Sequence, residues 1–148
     1  MRAPKQTSSH LLTKAEYEML ARFRYHLRRF LQFSQEAAQT AGVTPRQYQA
    51  LLAIKGFPDR DFVTVGELAE QLQIVHHAAV ELINRLAAQN LVERQPDPDD
   101  RRKVLVKLSR SGTKVLGKVS AAHRLEIRRL GPGLLPLLES LVLDRETK

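Results

Sequence analysis

The sequence predicts a mainly α fold of the α+β class, and three observations predict it. Apolar residues recur at steps of three and four through most of the 148 residues. Two short runs rich in β-formers, Leu91–Gln95 and Val104–Leu108, flank a polar stretch and read as a hairpin. Directly before them, two short helical patterns are joined by a turn at Gln73-Ile74-Val75. A chain of this length makes one domain, 1–148, around one modest core.

The elements follow in order. Thr13 with Glu16 three residues on has capping-box spacing. Tyr17, Leu20, Phe23, Leu27, Phe30, Leu31 and Ser34 then share a face, so a helix is expected to about Gln39. At about 1.5 Å per residue it spans roughly 40 Å, more than such a core covers, so part of its stripe is expected to face another subunit. Ala41-Gly42 ends it. Thr44-Pro45-Arg46-Gln47 opens a second helix, with Tyr48, Leu51, Leu52 and Ile54 apolar, which stops near Gly56-Phe57-Pro58. Phe62-Val63 is a short extended piece.

Thr64-Val65-Gly66-Glu67 is another capping box and starts a helix with Leu68, Ala69 and Leu72 inward. After the turn, a helix from about His76 to Gln89 carries Ala79, Val80, Ile83, Leu86 and Ala87. The helix-turn-helix thus lies at about 64–89. A hairpin straight after it is a wing, at about 91–109, with the highly charged tip Pro96–Lys103. Ser109 or Ser111 caps a further helix with Val115, Leu116, Val119, Ala122, Leu125 or Glu126, and Ile127 as its apolar positions. Gly131-Pro132-Gly133 is expected to break it, leaving a short, apolar closing helix from Leu134 to Leu143. Residues 44–109 form the winged helix-turn-helix, and the helical regions 13–41 and 110–148, too apolar to face water alone, are expected to build a homodimer.

Composition narrows the function. Cysteine is absent, which excludes disulfides, thiolate metal sites, cysteine nucleophiles and thiol redox sensing. No 18-residue apolar stretch occurs, and the first twelve residues lack the apolar core of a secretory signal, so a cytoplasmic protein is expected. The formal charge is +8, and its distribution is uneven. Between Gly42 and Asn84, Arg46, Lys55 and Arg60 face five acids, Asp59, Asp61, Glu67, Glu70 and Glu81. Between Arg101 and Lys118 stand Arg101, Arg102, Lys103, Lys107, Arg110, Lys114 and Lys118 with no acid. A cationic hairpin tip beside helix N-termini suits a double-stranded nucleic acid, whose phosphates those groups hold. Arg102 is the type of residue that enters a narrow minor groove, and Asp100 can hold its guanidinium or the hairpin backbone.

The stretches Asn84–Arg94 and Asp97–Ser109 resemble the MarR family of winged-helix transcription regulators. The family's wing signature Asp-x-Arg is matched by Asp100-Arg101-Arg102, and the element order is similar along nearly the whole chain. The resemblance implies an obligate homodimer that sets a recognition helix in the major groove and a wing at the minor groove. Many members repress their own or neighbouring genes and release DNA when a small, often aromatic ligand binds. The DNA-binding residues expected on this basis are His76, His77, Arg85, Arg101, Arg102 and Lys103, with Asp100 supporting the wing. The recognition helix departs from the family pattern: Val75-His76-His77-Ala78-Ala79-Val80-Glu81 replaces a segment usually rich in Ser, Thr and basic residues, and Gln73 replaces the usual turn glycine. Modest direct readout is expected, with heavier reliance on wing and backbone contacts. Histidines beside phosphates would make DNA affinity rise as pH falls, and Glu81 could accept from cytosine N4 or simply repel the DNA backbone. A ligand would sit between the first two helices, the wing domain and the dimerising helix, where Tyr25, His26, Phe30 and Tyr48 are available.

Other motifs carry less. Gly112–Val119 matches G-x-x-x-x-G-K but ends on Val119 in place of the hydroxyl that binds Mg²⁺, and it lies inside a predicted helix. A small nucleotide-hydrolysing enzyme using Lys118 is therefore the remote alternative, and a non-specific DNA-binding protein the nearer one. Asp97, Asp99 and Asp100 lack the Gly and Glu of a calcium loop and read as a self-capping turn. His77 and Glu81 have metal-ligand spacing without further ligands nearby. No cofactor and no enzymatic activity are implied.

Overall fold

In a computed structural model, residues 11–143 are described. Residues 1–10, where most of the expected leaderless start falls, and 144–148, the end of the expected dimerisation region, lie outside the described residues. The elements are α1 (Lys14–Thr40), α2 (Pro45–Lys55), β1 (Phe62–Thr64), α3 (Val65–Leu72), α4 (His76–Ala88), β2 (Val92–Pro96), β3 (Val104–Leu108) and α5 (Arg110–Val142).

Local chemistry fixes most of these boundaries. Thr13, Thr44 and Thr64 each accept the backbone N–H three residues on, while Glu16, Gln47 and Glu67 reach back to the cap, three complete capping boxes. Ser109 is the cap of α5 and accepts from the Gly112 N–H at 2.9 Å. Three helices close on a left-handed residue with the same backbone pairing, Gly42, Gln73 and Asn90. Glycine has no Cβ and the short amide of asparagine is tolerated there, whereas Gln73, at φ 53° and ψ 46°, carries the full steric cost of the left-handed region. Gln73→Gly is expected to raise stability by about 0.5–1 kcal/mol in urea unfolding; a lower midpoint would contradict strain at this turn.

β3 pairs antiparallel with both β2 and β1, giving a sheet of order β1-β3-β2. Val92 faces Leu108 and Pro96 faces Val104, so the hairpin register is continuous to its tip. Leu51, Ile54, Val63, Leu68, Leu86 and Val106 form the fully buried centre beneath α2, α3, α4 and the sheet. Leu52, read as apolar-facing, is exposed.

The expected break at Gly131-Pro132-Gly133 does not occur. Instead, α5 runs unbroken through Pro132 and Pro136. Gly112, Leu116, Val119, His123, Glu126 and Leu137 are buried, and Leu130, Leu134 and Leu141 half-buried, at steps of three and four that stay in phase across the prolines. One proline costs a helix about 3 kcal/mol. Fully burying a leucine returns about 1.5–3 kcal/mol and half-burial a part of it, and Leu130, Leu134, Leu137 and Leu141 together keep their stripe only if the helix continues. On this stripe Glu126 points inward, whereas Leu125 and Ile127 are exposed. Together with exposed Tyr17, Leu20, Leu27 and Leu31 on α1, and Leu135 and Val142 on α5, they leave the helix pair with an apolar outer surface.

Candidate nucleic-acid interface

Three elements converge at one end of the domain. Thr64, Val65 and Gly66 at the start of α3, His76 at the start of α4, and Arg102, Lys103 and Val104 of the wing line one groove of about 350 Å³. Free backbone N–H groups and the positive ends of two helix dipoles thus face the same space as two cations. Such a site favours phosphate oxygens.

The wing tip is held by its aspartates. The Asp99 N–H donates to Asp97 Oδ1 at 2.9 Å and the Arg102 N–H to Asp100 Oδ1 at 3.0 Å. Across the hairpin the Asp97 N–H donates to the Lys103 carbonyl at 3.1 Å, and the Lys103 N–H to the Asp100 carbonyl at 3.0 Å. The Arg102 Nε also lies 3.5 Å from Asp100 Oδ1, so Asp100 holds both the backbone and the base of the guanidinium. Beyond that contact the Arg102 side chain is 93% exposed. Arg101 and Lys103 are exposed beside it. Among the described residues no group of three or more His, Cys, Asp or Glu could hold a metal ion.

On α4, His76, His77 and Arg85 are exposed. His77 Nε2 approaches Glu81 Oε1 at 3.3 Å. Arg94 on β2 reaches across to donate to Asn84 Oδ1 at 2.6 Å, a link between β2 and α4 absent from the sequence reading. The spacing of ten residues across a turn gives no local signal of it. Arg60 was also missed as a site residue. It lies over the rings of Phe57 and Phe62, at 4.5 and 5.0 Å, and pairs with Glu67 at the start of α3.

Glu67 has a lowered pKa. Burial pushes its carboxyl up, but the Thr64 N–H and hydroxyl and the Arg60 guanidinium together more than reverse that. A depressed folded value means stability that is present above the unfolded value, about 4.3, and lost as pH falls through the folded one. Glu67→Gln is therefore expected to flatten the loss of urea midpoint as pH drops below about 4.5; an acid limb as steep as in the wild type would reject the linkage. Part of that limb should remain, because Glu126 is depressed too, first by its hydrogen bonds from Arg129 and then by the charges of Arg129 and Arg29.

The four residues considered for a ligand fall into two pairs, Tyr25 meeting His26 edge-on at 5.7 Å and Phe30 lying near Tyr48. Tyr48 and Phe30 meet around buried His123, which stacks on Tyr48 at 4.7 Å and meets Phe30 edge-on at 5.7 Å. His123 also contacts the Val119 carbonyl at 2.7 Å and Ser34 Oγ at 2.6 Å, which ties α5 to α1. Tyr25 is exposed and accepts from Arg29, while His26 lies against Gly133 with its Nδ1 buried and without a partner. A groove of about 640 Å³ between α1 and α5 is lined by Phe33, Glu36, Lys114, Lys118 and their neighbours. His123 could have been found from the three-and-four stripe of α5, on which it is the one histidine.

The model of the MarR family matches residues 41–103, which include the helix-turn-helix and the signature of the wing tip. The transcriptional repressor NicR of Pseudomonas putida is 30% identical over 133 residues, covering 86% of this chain and 81% of that protein. The chain belongs to the MarR family. It is thus a member of a family of transcription regulators, not of enzymes. Solved MarR-type structures have the same fold. AbsC of Streptomyces coelicolor superposes with a TM-score of 0.70 at 23% identity, over 90% of this chain and 93% of that one. A mutant MarR from E. coli complexed with operator DNA gives 0.64 at 22% identity, over 90% and 96%. Among the described residues no helix is long and apolar enough to cross a membrane.

Proposed function

We propose that this MarR-family regulator is a cytoplasmic, ligand-responsive dimeric repressor that binds a pseudo-palindromic operator in double-stranded DNA. α4 would enter the major groove with His76, His77 and Arg85, and Arg102, flanked by Arg101 and Lys103, would reach the minor groove. The observation that carries this reading is the single groove shared by the starts of α3 and α4 and the wing cations. NicR is itself named a repressor, and the E. coli relative was crystallised on its operator, which supports the assignment. The exposed apolar positions of α1 and α5 support self-association, since burying them in a second copy removes them from water. A ligand would sit between the first two helices, the wing domain and the dimerising helix α5, entering by the groove between α1 and α5, with Phe30 and Tyr48 on His123 and with Tyr25 and His26 on α1 as candidate contacts.

The test is competition between random duplex and the DNA upstream of the gene, at matched salt, with the mass of the free protein read by sedimentation. Operator preference of at least about a thousandfold, a steep negative salt slope and a dimeric mass are expected. Equal affinity for the two DNAs would instead make the protein a non-specific DNA binder. A monomer at working concentration would reject the dimer.

A further inference from the structure

The face of α4 that reads DNA has an unusual chemistry for a surface meeting phosphates. Ala79, Leu82, Ile83 and Leu86 point into the core. At about 100° per residue, the direction opposite them carries His77, Glu81, Asn84 and Ala88, all exposed. Glu81 is central to that face. One of its oxygens is met by His77 Nε2 at 3.3 Å, and its side chain is 58% exposed. Asn84 is drawn toward the wing by Arg94.

Resting on the operator reading above, we propose that Glu81 is a specificity-determining residue that accepts a hydrogen bond from the N4 amino group of a cytosine in each half-site. A carboxylate has no proton to give, so in the major groove it can only meet an amino group, cytosine N4 or adenine N6. Adenine places the N7 lone pair beside N6, which repels the carboxylate. Cytosine places a C–H there. Thymine presents O4 where cytosine presents its amino group, and guanine presents O6 beside N7, so both are rejected. The negative charge of Glu81 also weakens binding to every sequence through the phosphates, which makes it a selective element: only a correctly placed donor offsets the repulsion.

The experiment is selection of bound duplexes from a random pool by the full chain, wild type and Glu81→Gln, followed by affinity measurements with each base at the selected position. The wild type is expected to select a symmetric site with an invariant cytosine in each half, favoured about tenfold or more over thymine. In Glu81→Gln, whose amide both donates and accepts, that position should shift to adenine or fall within about twofold for all bases, the other positions unchanged. Glu81→Ala should lose the preference without gaining adenine. A site without the cytosine, or the same cytosine preference in all three proteins, would overturn the assignment while leaving the operator reading intact. A wild type that selects no site at all would overturn both.

Discussion

Gly112→Ala is expected to cost about 3 kcal/mol or more, a large part of the roughly 5–15 kcal/mol of a typical domain. On an exposed helix the same change would stabilise by up to about 1 kcal/mol. The difference lies in what a Cβ would meet: it would overlap the Leu91 carbonyl oxygen and lie 2.9 Å from its carbon. Nor can Leu91 retreat. Its carbonyl accepts the Ser109 N–H at 3.0 Å and its N–H donates to the Leu86 carbonyl at 2.9 Å. The preceding Asn90 is left-handed, and its carbonyl accepts from both the Ser109 and the Ser111 hydroxyls. The start of α5 is thus sewn to the end of α4, so a methyl group must push two helices apart. Gly117, one and a half turns on, has nothing within 4 Å of an added Cβ. Gly117→Ala is the control and should raise the urea midpoint. If both variants moved it in the same direction, close packing at Leu91 would not be what requires Gly112. The two glycines that imitate a phosphate-binding loop therefore stand there for unrelated reasons, one for contact and one for none.

Much of this was legible because it is local. Each capping box is a three-residue spacing, and Thr13, Thr44 and Thr64 set their helix starts wherever the rest of the chain goes. The self-capping aspartates of the wing tip are equally local, so Asp97 and Asp100 were readable as turn formers. The failure at Gly131-Pro132-Gly133 came from weighing a local penalty against nothing. Its counterweight, the buried stripe of α5 from Gly112 to Leu141, is visible only when the whole helix is read as one period. Leu125 and Glu126 show the same limit: hydropathy favours burying the leucine, but the phase set by His123 and Leu130 turns the glutamate inward, where Arg129 pairs with it. Contacts between distant segments, Arg94 with Asn84 or Tyr48 with His123, leave no mark on spacing. The convergence of Arg102 with the starts of α3 and α4 was anticipated only because the hairpin directly follows the helix pair.

Arg102→Ala is expected to lower operator affinity about ten- to a hundredfold and to reduce the slope of log affinity against log salt by about one per protomer. Folding stability should stay within about 0.5 kcal/mol, because the side chain is solvated and its polar contact is the weak one to Asp100. An exposed pair of this kind contributes about 0–1 kcal/mol to folding, so its geometry is better explained by what it aims than by what it holds. Three variants separate charge from shape. Arg102→Lys keeps the cation and should restore the salt slope, but it lacks the planar, weakly hydrated fork that a narrow groove favours and should recover only part of the affinity. Asp100→Asn keeps an oxygen for the Arg102 N–H and should leave the turn formed, whereas Asp100→Ala removes it and should loosen the tip. Affinity should therefore fall less in Asp100→Asn than in Asp100→Ala, and less in either than in Arg102→Ala. Operator affinity unchanged in Arg102→Ala at matched salt would remove the wing from the interface. The excess charge between Arg101 and Lys118 would then need another partner, beginning with Lys114 and Lys118 at the groove between α1 and α5.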